Sequence, residues 1–207
     1  KGLILPPRIA PIQVVIVPIY KSDAEKETVL GSARSLEQEL AKAGIRTHLD
    51  DRDNYTPGYK FNHWELRGVP VRINIGPKDI SNGVVEIARR DDKEKMRGVS
   101  REGLTETINN LLETVQKAIF ERALKFREEN TVKAQTYDEL KSILKEKSVF
   151  VEVFWDGNSE DEGKIKDECK ATIRCLPFEL NHEGAPKGKC MYTGRETSRK
   201  AIFAKAY

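Results

Sequence analysis

The run Ile12-Gln13-Val14-Val15-Ile16-Val17 limits the fold of this chain more than any other segment. Its β-branched residues do not alternate with polar ones, so a strand built from it has two apolar faces and belongs in the middle of a sheet covered on both sides. The rest of the chain supplies the covering layers. Ser22 and Glu25 stand at capping-box spacing, Val29, Ala33, Leu36 and Leu40 recur at helical intervals, and Gly44 supplies the stop. Residues 45–49 read as a second strand and lead into an acidic loop over residues 50–54. Thr56-Pro57 is an N-cap followed by proline at the first helical position, so a short helix is predicted from there to Gly68.

In Val71-Arg72-Ile73-Asn74-Ile75 the apolar residues alternate with polar ones. Arg72 and Asn74 therefore lie on the face opposite the core, which is expected to be the solvent face. Gly76-Pro77 ends this strand in a turn that carries Lys78 and Asp79. Residues 84–88 and 95–99 are predicted strands on either side of a charged turn. A long helix follows, with Leu104, Ile108, Leu111, Val115, Ile119 and Phe126 on one face, ending near Asn130-Thr131. Strand, helix, strand, helix, strand in this order indicates an α/β sandwich with a mixed sheet.

Contacts are expected to thin out there, which divides the chain into residues 1–131 and a smaller α/β unit over 132–207. In the latter, Thr136 and Glu139 cap a short helix carrying Leu140, Ile143 and Leu144. Residues 149–155 form a strand, Asn158-Ser159 starts a turn, and an apolar run closes the chain. Neither an internal repeat nor a low-complexity tract is present.

At 38% hydrophobic and 33% charged, with a mean hydropathy of −0.58, the composition is that of a soluble globular protein. The net charge of +3 permits approach to a phosphate backbone without requiring it. No apolar run reaches the roughly 18–20 residues of a membrane span. The start, Lys1-Gly2-Leu3-Ile4-Leu5-Pro6-Pro7, has neither an initiator Met nor a signal-peptide organisation and reads as an internal cut in a longer protein. Three cysteines argue against a disulfide framework and for a reducing compartment, with the cytoplasm as the expectation.

Charge chemistry is concentrated between Asp50 and Asp79. Glu65 sits near the end of the short helix, Arg72 on the next strand, and Lys78-Asp79 just after it, so adjacent elements bring two carboxylates and two cations towards one place. A carboxylate accepts two hydrogen bonds from the amide-like edge of guanine, and Arg or Lys donates to its carbonyl side. A surface ion-pair cluster explains the same spacing and is the commoner outcome. Asp50, Asp51 and Asp53 raise a second option, a Mg²⁺-dependent hydrolase, but no Gly-rich phosphate cradle accompanies them, and a solvated loop capping the next helix fits better. Cys169, Cys175 and Cys190 cluster loosely, with Thr193 where a fourth Cys would complete a zinc set and His182 the other nearby donor. Packing as small hydrophobes is the competing reading. His48 and His63 have no Ser or Cys near them in sequence to suggest a triad.

Three longer motifs carry a family resemblance: Gly2-Leu3-Ile4-Leu5-Pro6-Pro7-Arg8-Ile9-Ala10-Pro11; Asp50-Asp51-Arg52-Asp53 with Thr56-Pro57-Gly58-Tyr59-Lys60-Phe61; and Trp64-Glu65-Leu66-Arg67-Gly68-Val69-Pro70 followed by Gly76-Pro77-Lys78-Asp79. Together they resemble the C-terminal half of the prolyl-tRNA synthetase family, of the type found in eukaryotes, archaea and some bacteria. The resemblance implies an anticodon-binding domain with a five-stranded mixed sheet flanked by helices, then a small α/β domain. It implies that Glu65, Arg72, Lys78 and Asp79 read the two guanines of proline anticodons. It also implies a homodimeric parent enzyme whose catalytic domain, using ATP and Mg²⁺ to join proline to its tRNA, is absent here. The C-terminal carboxylate of Tyr207 would pack towards that domain. Members with zinc have four cysteines, so Thr193 argues against a bound metal, and no cofactor is expected in this piece. Phe126-Arg127-Glu128-Glu129 matches the short Phe-Arg-x-Glu pattern of the ATP-binding strand in class II synthetases, but in a helix-periodic segment where that role is lost. A stand-alone RNA-binding or accessory subunit built on the same domain is the alternative function.

Overall fold

The computed structural model describes residues 2–205; Tyr207 lies outside them. The chain divides into two compact units, residues 1–122 and 123–207.

The first unit is built from β1 (Val14–Pro18), α1 (Asp23–Lys42), β2 (Thr47–Leu49), α2 (Pro57–Leu66), β3 (Val71–Ile75), α3 (Pro77–Ser81), β4 (Val84–Arg89), β5 (Lys95–Ser100) and the greater part of α4 (Leu104–Glu129), whose last residues are counted with the second unit. Its five-stranded sheet has the order β2-β1-β3-β4-β5. β2, β1 and β3 run parallel, whereas β4 and β5 are antiparallel additions, so the sheet is mixed. Val14 and Ile16 of β1 face a core shared with α1, α4 and the apolar side of β3, while Val15 and Val17 face Trp64 and Phe61 of α2. Both faces of β1 are covered, as its composition requires.

The helix starts follow their local chemistry. Ser22 accepts from the Glu25 N–H and Thr56 from the Tyr59 N–H, each satisfying a backbone donor that the first helical turn leaves open. The N-terminal segment clamps the other end of α2. Leu3 N–H donates to the Leu66 carbonyl at 3.0 Å and Leu5 N–H to the Gly68 carbonyl at 3.2 Å. Gly68 has φ +76°, and a Cβ there would sit 2.7 Å from Leu3 Cβ. Both the backbone conformation and the close approach call for glycine.

Three expectations need correction in this unit. Arg72 and Asn74 do lie opposite the main core, but that face is not solvent: they are 6% and 3% exposed, because α2 rises beside them. The turn carrying Lys78 and Asp79 is a short helix, α3, with Gly76 as its N-cap. In α4 the buried residues are Leu104, Ile108, Leu112 and Val115. Leu111 is partly buried and Phe126 is 65% exposed.

The second unit contains β6 (Thr131–Lys133), α5 (Tyr137–Glu146), β7 (Phe150–Phe154), α6 (Ser159–Cys169), β8 (Ala171–Cys175), the short strands β9 (Gly188–Lys189) and β10 (Glu196–Thr197), and β11 (Lys200–Lys205). Its four-stranded sheet has the order β6-β7-β11-β8. Leu140 and Leu144 of α5, Ile165 of α6 and Trp155 and Phe203 from the sheet side share one core. Thr136 and Glu139 form the reciprocal capping box expected of them. Asn158-Ser159 begins a helix rather than a turn: Asn158 accepts from the N–H groups of Glu160 and Asp161, and the Asp161 carboxylate reaches back to the Asn158 N–H.

Candidate nucleic-acid interface

Asp50 fixes the helix on which one half of the site is built. It follows β2, is 1% exposed, and accepts from Arg52 Nε and Nη2 and from Trp64 Nε1, each at 2.8 Å. Lys60 Nζ donates to its main-chain carbonyl at 3.0 Å. Burial works against this carboxylate, but the hydrogen bonds from Arg52 and Trp64 and the Lys60 charge outweigh it and hold its pKa down at about 2. Burial lowers the Lys60 pKa, with the Asp50 charge opposing it. Its loop neighbours turn elsewhere: Asp51 meets Arg34 at 3.8 Å, and Asp53 is hydrogen-bonded to Lys26. Among the described residues no three His, Cys, Asp or Glu side chains gather as a metal ion needs. The hydrolase option thus finds its three aspartates dispersed onto three different cations. His48 and His63 pack against the Trp64 ring, at 4.9 and 5.0 Å between centroids.

Glu65 and Arg72 meet at the other side of α2. Arg72 Nη1 donates to Glu65 Oε1 at 3.0 Å, Arg72 Nε donates to Asn74 Oδ1 at 3.2 Å, and the guanidinium lies over the Phe61 ring, 3.9 Å from its centre. The Arg72 side chain is 7% exposed against 51% for Glu65. A ring face and two acceptors thus fix the guanidinium plane. Glu65 Oε2 and Arg72 Nη2 have no partner among the described residues, and Arg72 Nη2 is not sealed from solvent. Arg90 Nε donates to the Glu65 main-chain carbonyl at 2.9 Å, which fixes the helix end from β4's side. A shallow pocket at this point, with a volume of only about 20 Å³, is lined by Trp64, Glu65, Arg72, Ala88 and Arg89 among others. An acceptor and a planar donor stand side by side there, which suits the edge of a base that offers donors next to a carbonyl.

Lys78 and Asp79 lie beyond the far end of β3. Gly76 is four steps along the chain from Arg72, about 13 Å of extended backbone. Asp79 Oδ2 accepts from the Gly76 N–H at 2.8 Å and so caps its own helix. Lys78 is exposed and makes no side-chain hydrogen bond or ion pair among the described residues. The fold therefore joins Glu65 to Arg72 and sets Lys78 and Asp79 one strand length away, past the C-terminal end of the central strand β3. Sequence reasoning did not single out Phe61, Glu86 or Arg97 for this face. The period-two placement of Glu86 along β4 was the available signal, whereas pairing it with Arg97 depends on register.

The cysteines do not assemble. Cys169 ends α6 and donates to the Ile165 carbonyl at 3.2 Å, Cys175 is exposed at the end of β8, and Cys190 is buried, accepting from the Asp156 N–H at 3.4 Å. Thr193 Oγ1 donates to Asp156 Oδ1 at 2.6 Å, and Arg195 Nε meets the second oxygen at 2.9 Å. The Thr193 hydrogen bond foremost, then Cys190 and Arg195, lower the Asp156 pKa. A carboxylate already paired with a guanidinium, beside one thiol and a neutral hydroxyl, does not fit zinc.

Residues 13–111 match the family described as anticodon binding domain, and residues 137–207 match prolyl-tRNA synthetase, C-terminal. The chain thus carries an anticodon-binding domain followed by the C-terminal domain of prolyl-tRNA synthetases. It is 48% identical over 209 residues to the proline–tRNA ligase of Roseiflexus sp. strain RS-1 and 50% identical to that of Chloroflexus aurantiacus, covering all of this chain and 42% of each relative. The proline–tRNA ligase of Flavobacterium johnsoniae is 44% identical over 207 residues, with 41% of its length covered. The chain thus spans less than half the length of the curated relatives it matches, in their C-terminal part. Among the described residues no helix is long and apolar enough to cross a membrane.

Proposed function

We propose that this chain is the part of a proline–tRNA ligase that reads the anticodon of proline tRNA. The carrying observation is the Glu65–Arg72 pair, in which a half-used carboxylate and a half-used guanidinium stand in contact on a rigid sheet and helix. Guanine offers N1–H and N2–H donors beside its O6 acceptor, so Glu65 Oε2 receives the first two and Arg72 Nη2 donates to the third. Lys78 and Asp79, one strand length away, serve the neighbouring base. The relatives are named proline–tRNA ligases, which supports a parent enzyme that performs this ligation; in this reading the parent is cytoplasmic and homodimeric, and its catalytic domain uses ATP and Mg²⁺. This chain supplies recognition and no adenylation chemistry of its own, and it uses no zinc.

Titration with a proline-anticodon stem-loop, and with loops in which each anticodon guanine is replaced, tests the reading. Glu65→Ala and Arg72→Ala are expected to reduce discrimination between these loops by about tenfold or more, since one bidentate base contact contributes roughly 1–3 kcal/mol. General RNA affinity is expected to fall far less. Unchanged discrimination in both variants would falsify the assignment. Proline-dependent pyrophosphate exchange by the isolated chain is expected to be nil, and measurable exchange would reveal a catalytic centre within it.

A further inference from the structure

Hydrogen bonding on this sheet face does not stop at Arg72. Asn74, two residues further along β3, accepts from Arg72 through Oδ1 and donates through Nδ2 to Glu86 Oε1 on β4 at 2.7 Å. Glu86 Oε2 in turn accepts from Arg97 Nε on β5 at 3.0 Å. Two acid–arginine pairs, Glu65–Arg72 and Glu86–Arg97, are therefore linked through one buried amide across three strands. Apolar side chains at 72 and 74 would be less costly to bury, and α2 already offers Phe61 to pack against them. A polar relay in this position needs a reason other than stability.

The end of the relay is placed by a backbone device. Met96 and Val99 both pack towards the core although they are three residues apart, where regular alternation sends them to opposite faces. The register shifts to allow this: Ile87 pairs with Met96 but Val85 with Val99, so β5 carries one extra residue, and Gly98 takes φ +67°. Such bulges re-aim side chains, and this one leaves Arg97 standing opposite Glu86. The Arg97 side chain is 81% exposed, whereas that of Glu86 is 25% exposed. With Nε committed to Glu86, Nη1 and Nη2 have no partner among the described residues and form an open fork about 10 Å, two strand spacings, from Asn74, the neighbour of Arg72 on the same face of β3.

We propose that Arg97 contacts the RNA directly, its fork gripping the phosphate of a nucleotide adjoining the base held by Glu65 and Arg72, with Asn74 and Glu86 as positioning residues. This rests on the anticodon reading above. An end-on guanidinium matches phosphate oxygens in a bidentate way, and Arg97 has no aromatic ring against it among the described residues on which a base would also stack.

The test uses the 207-residue chain, a labelled proline-anticodon stem-loop, the guanine-replaced loops, and two salt concentrations. Arg97→Ala is expected to weaken binding of all loops alike by about tenfold, as loss of a charge-assisted contact does. It should also flatten the slope of log affinity against log salt by about 0.7, one single-stranded phosphate contact. Arg97→Lys should restore the slope but only part of the affinity, because a point charge replaces a fork. Asn74→Ala should reduce discrimination and leave the salt slope unchanged, a signature that simple loss of stability does not produce. If Arg97→Ala leaves both affinity and slope at the parent values while Arg72→Ala loses discrimination, this inference fails and the anticodon reading stands. If Arg97→Ala alters discrimination and not slope, the phosphate assignment is wrong. If the parent chain itself shows no preference for the proline loop, both fall together. Arg97 is an exposed residue of the edge strand, so its variants are expected to fold even where Asn74→Ala does not.

Discussion

Two carboxylates flank the same short helix and are used in opposite ways. Asp50, on the β2 side of α2, is enclosed and takes three side-chain hydrogen bonds from Arg52 and Trp64. Glu65, at the far end of the helix, spends one oxygen on Arg72 and leaves half its surface open. The first is saturated and fixes where α2 lies. The second is held in place by its partner and still has capacity to bind. A carboxylate with nothing left to offer belongs to architecture, and one held rigid with lone pairs to spare is available to a ligand.

The contrast breaks most readily at Asp50. Asp50→Ala leaves Arg52 and the Trp64 indole without their acceptor, takes away the negative charge beside buried Lys60, and is expected to destabilise the first unit by about 3–5 kcal/mol, the usual cost of unpairing a buried ion pair. Denaturant unfolding followed by Trp64 fluorescence measures it; a loss below about 1 kcal/mol would show that α2 does not depend on this node. Acid probes the same group. Its folded pKa of about 2 lies below the ordinary 3.8, so its contribution is complete above roughly pH 4 and disappears as the pH falls towards 2. The linkage is worth about 2 kcal/mol and appears as a steepening loss of stability in that window. Asp50→Asn should remove the steepening.

Glu65→Gln sharpens the other half of the comparison. The amide oxygen can still accept from Arg72, so stability should stay within about 1 kcal/mol of the parent. The new NH₂ presents donors where guanine also presents donors, so discrimination between the loops should fall by about tenfold or more. A large stability loss with intact discrimination would make Glu65 a second Asp50. The smallest effect concerns the second unit. Chelator treatment is expected to leave its unfolding unchanged, and metal analysis of the purified chain should find no stoichiometric zinc.

Helix starts were legible from sequence because capping is local: Ser22, Thr56 and Thr136 each need only the residue three places on. The same locality explains the miss at α6. Asn158 caps it well, but the helix is so charged that Ile165 is its one buried residue, and no apolar stripe marks its course. Periodicity misled at Phe126 for the opposite reason. The pattern of α4 runs on for 26 residues, about 39 Å, past strands of five or six residues that span about 20 Å. In the candidate site, the alternation of β3 placed Arg72 and Asn74 on one face. It could not show that α2 shelters that face, since shelter is tertiary. Arg97 was out of reach because its position depends on one extra residue in β5, and only the register reveals that Gly98 supplies it.

The hydrogen bonds from Leu3 to Leu66 and from Leu5 to Gly68 have a mechanical meaning. A pull on the backbone ahead of β1 would be delivered first to the turn immediately after Glu65, without having to travel through the sheet. Shortening the polypeptide past Leu5 would cut that tether, and the carboxylate's aim would then depend on Arg72 and Arg90 alone.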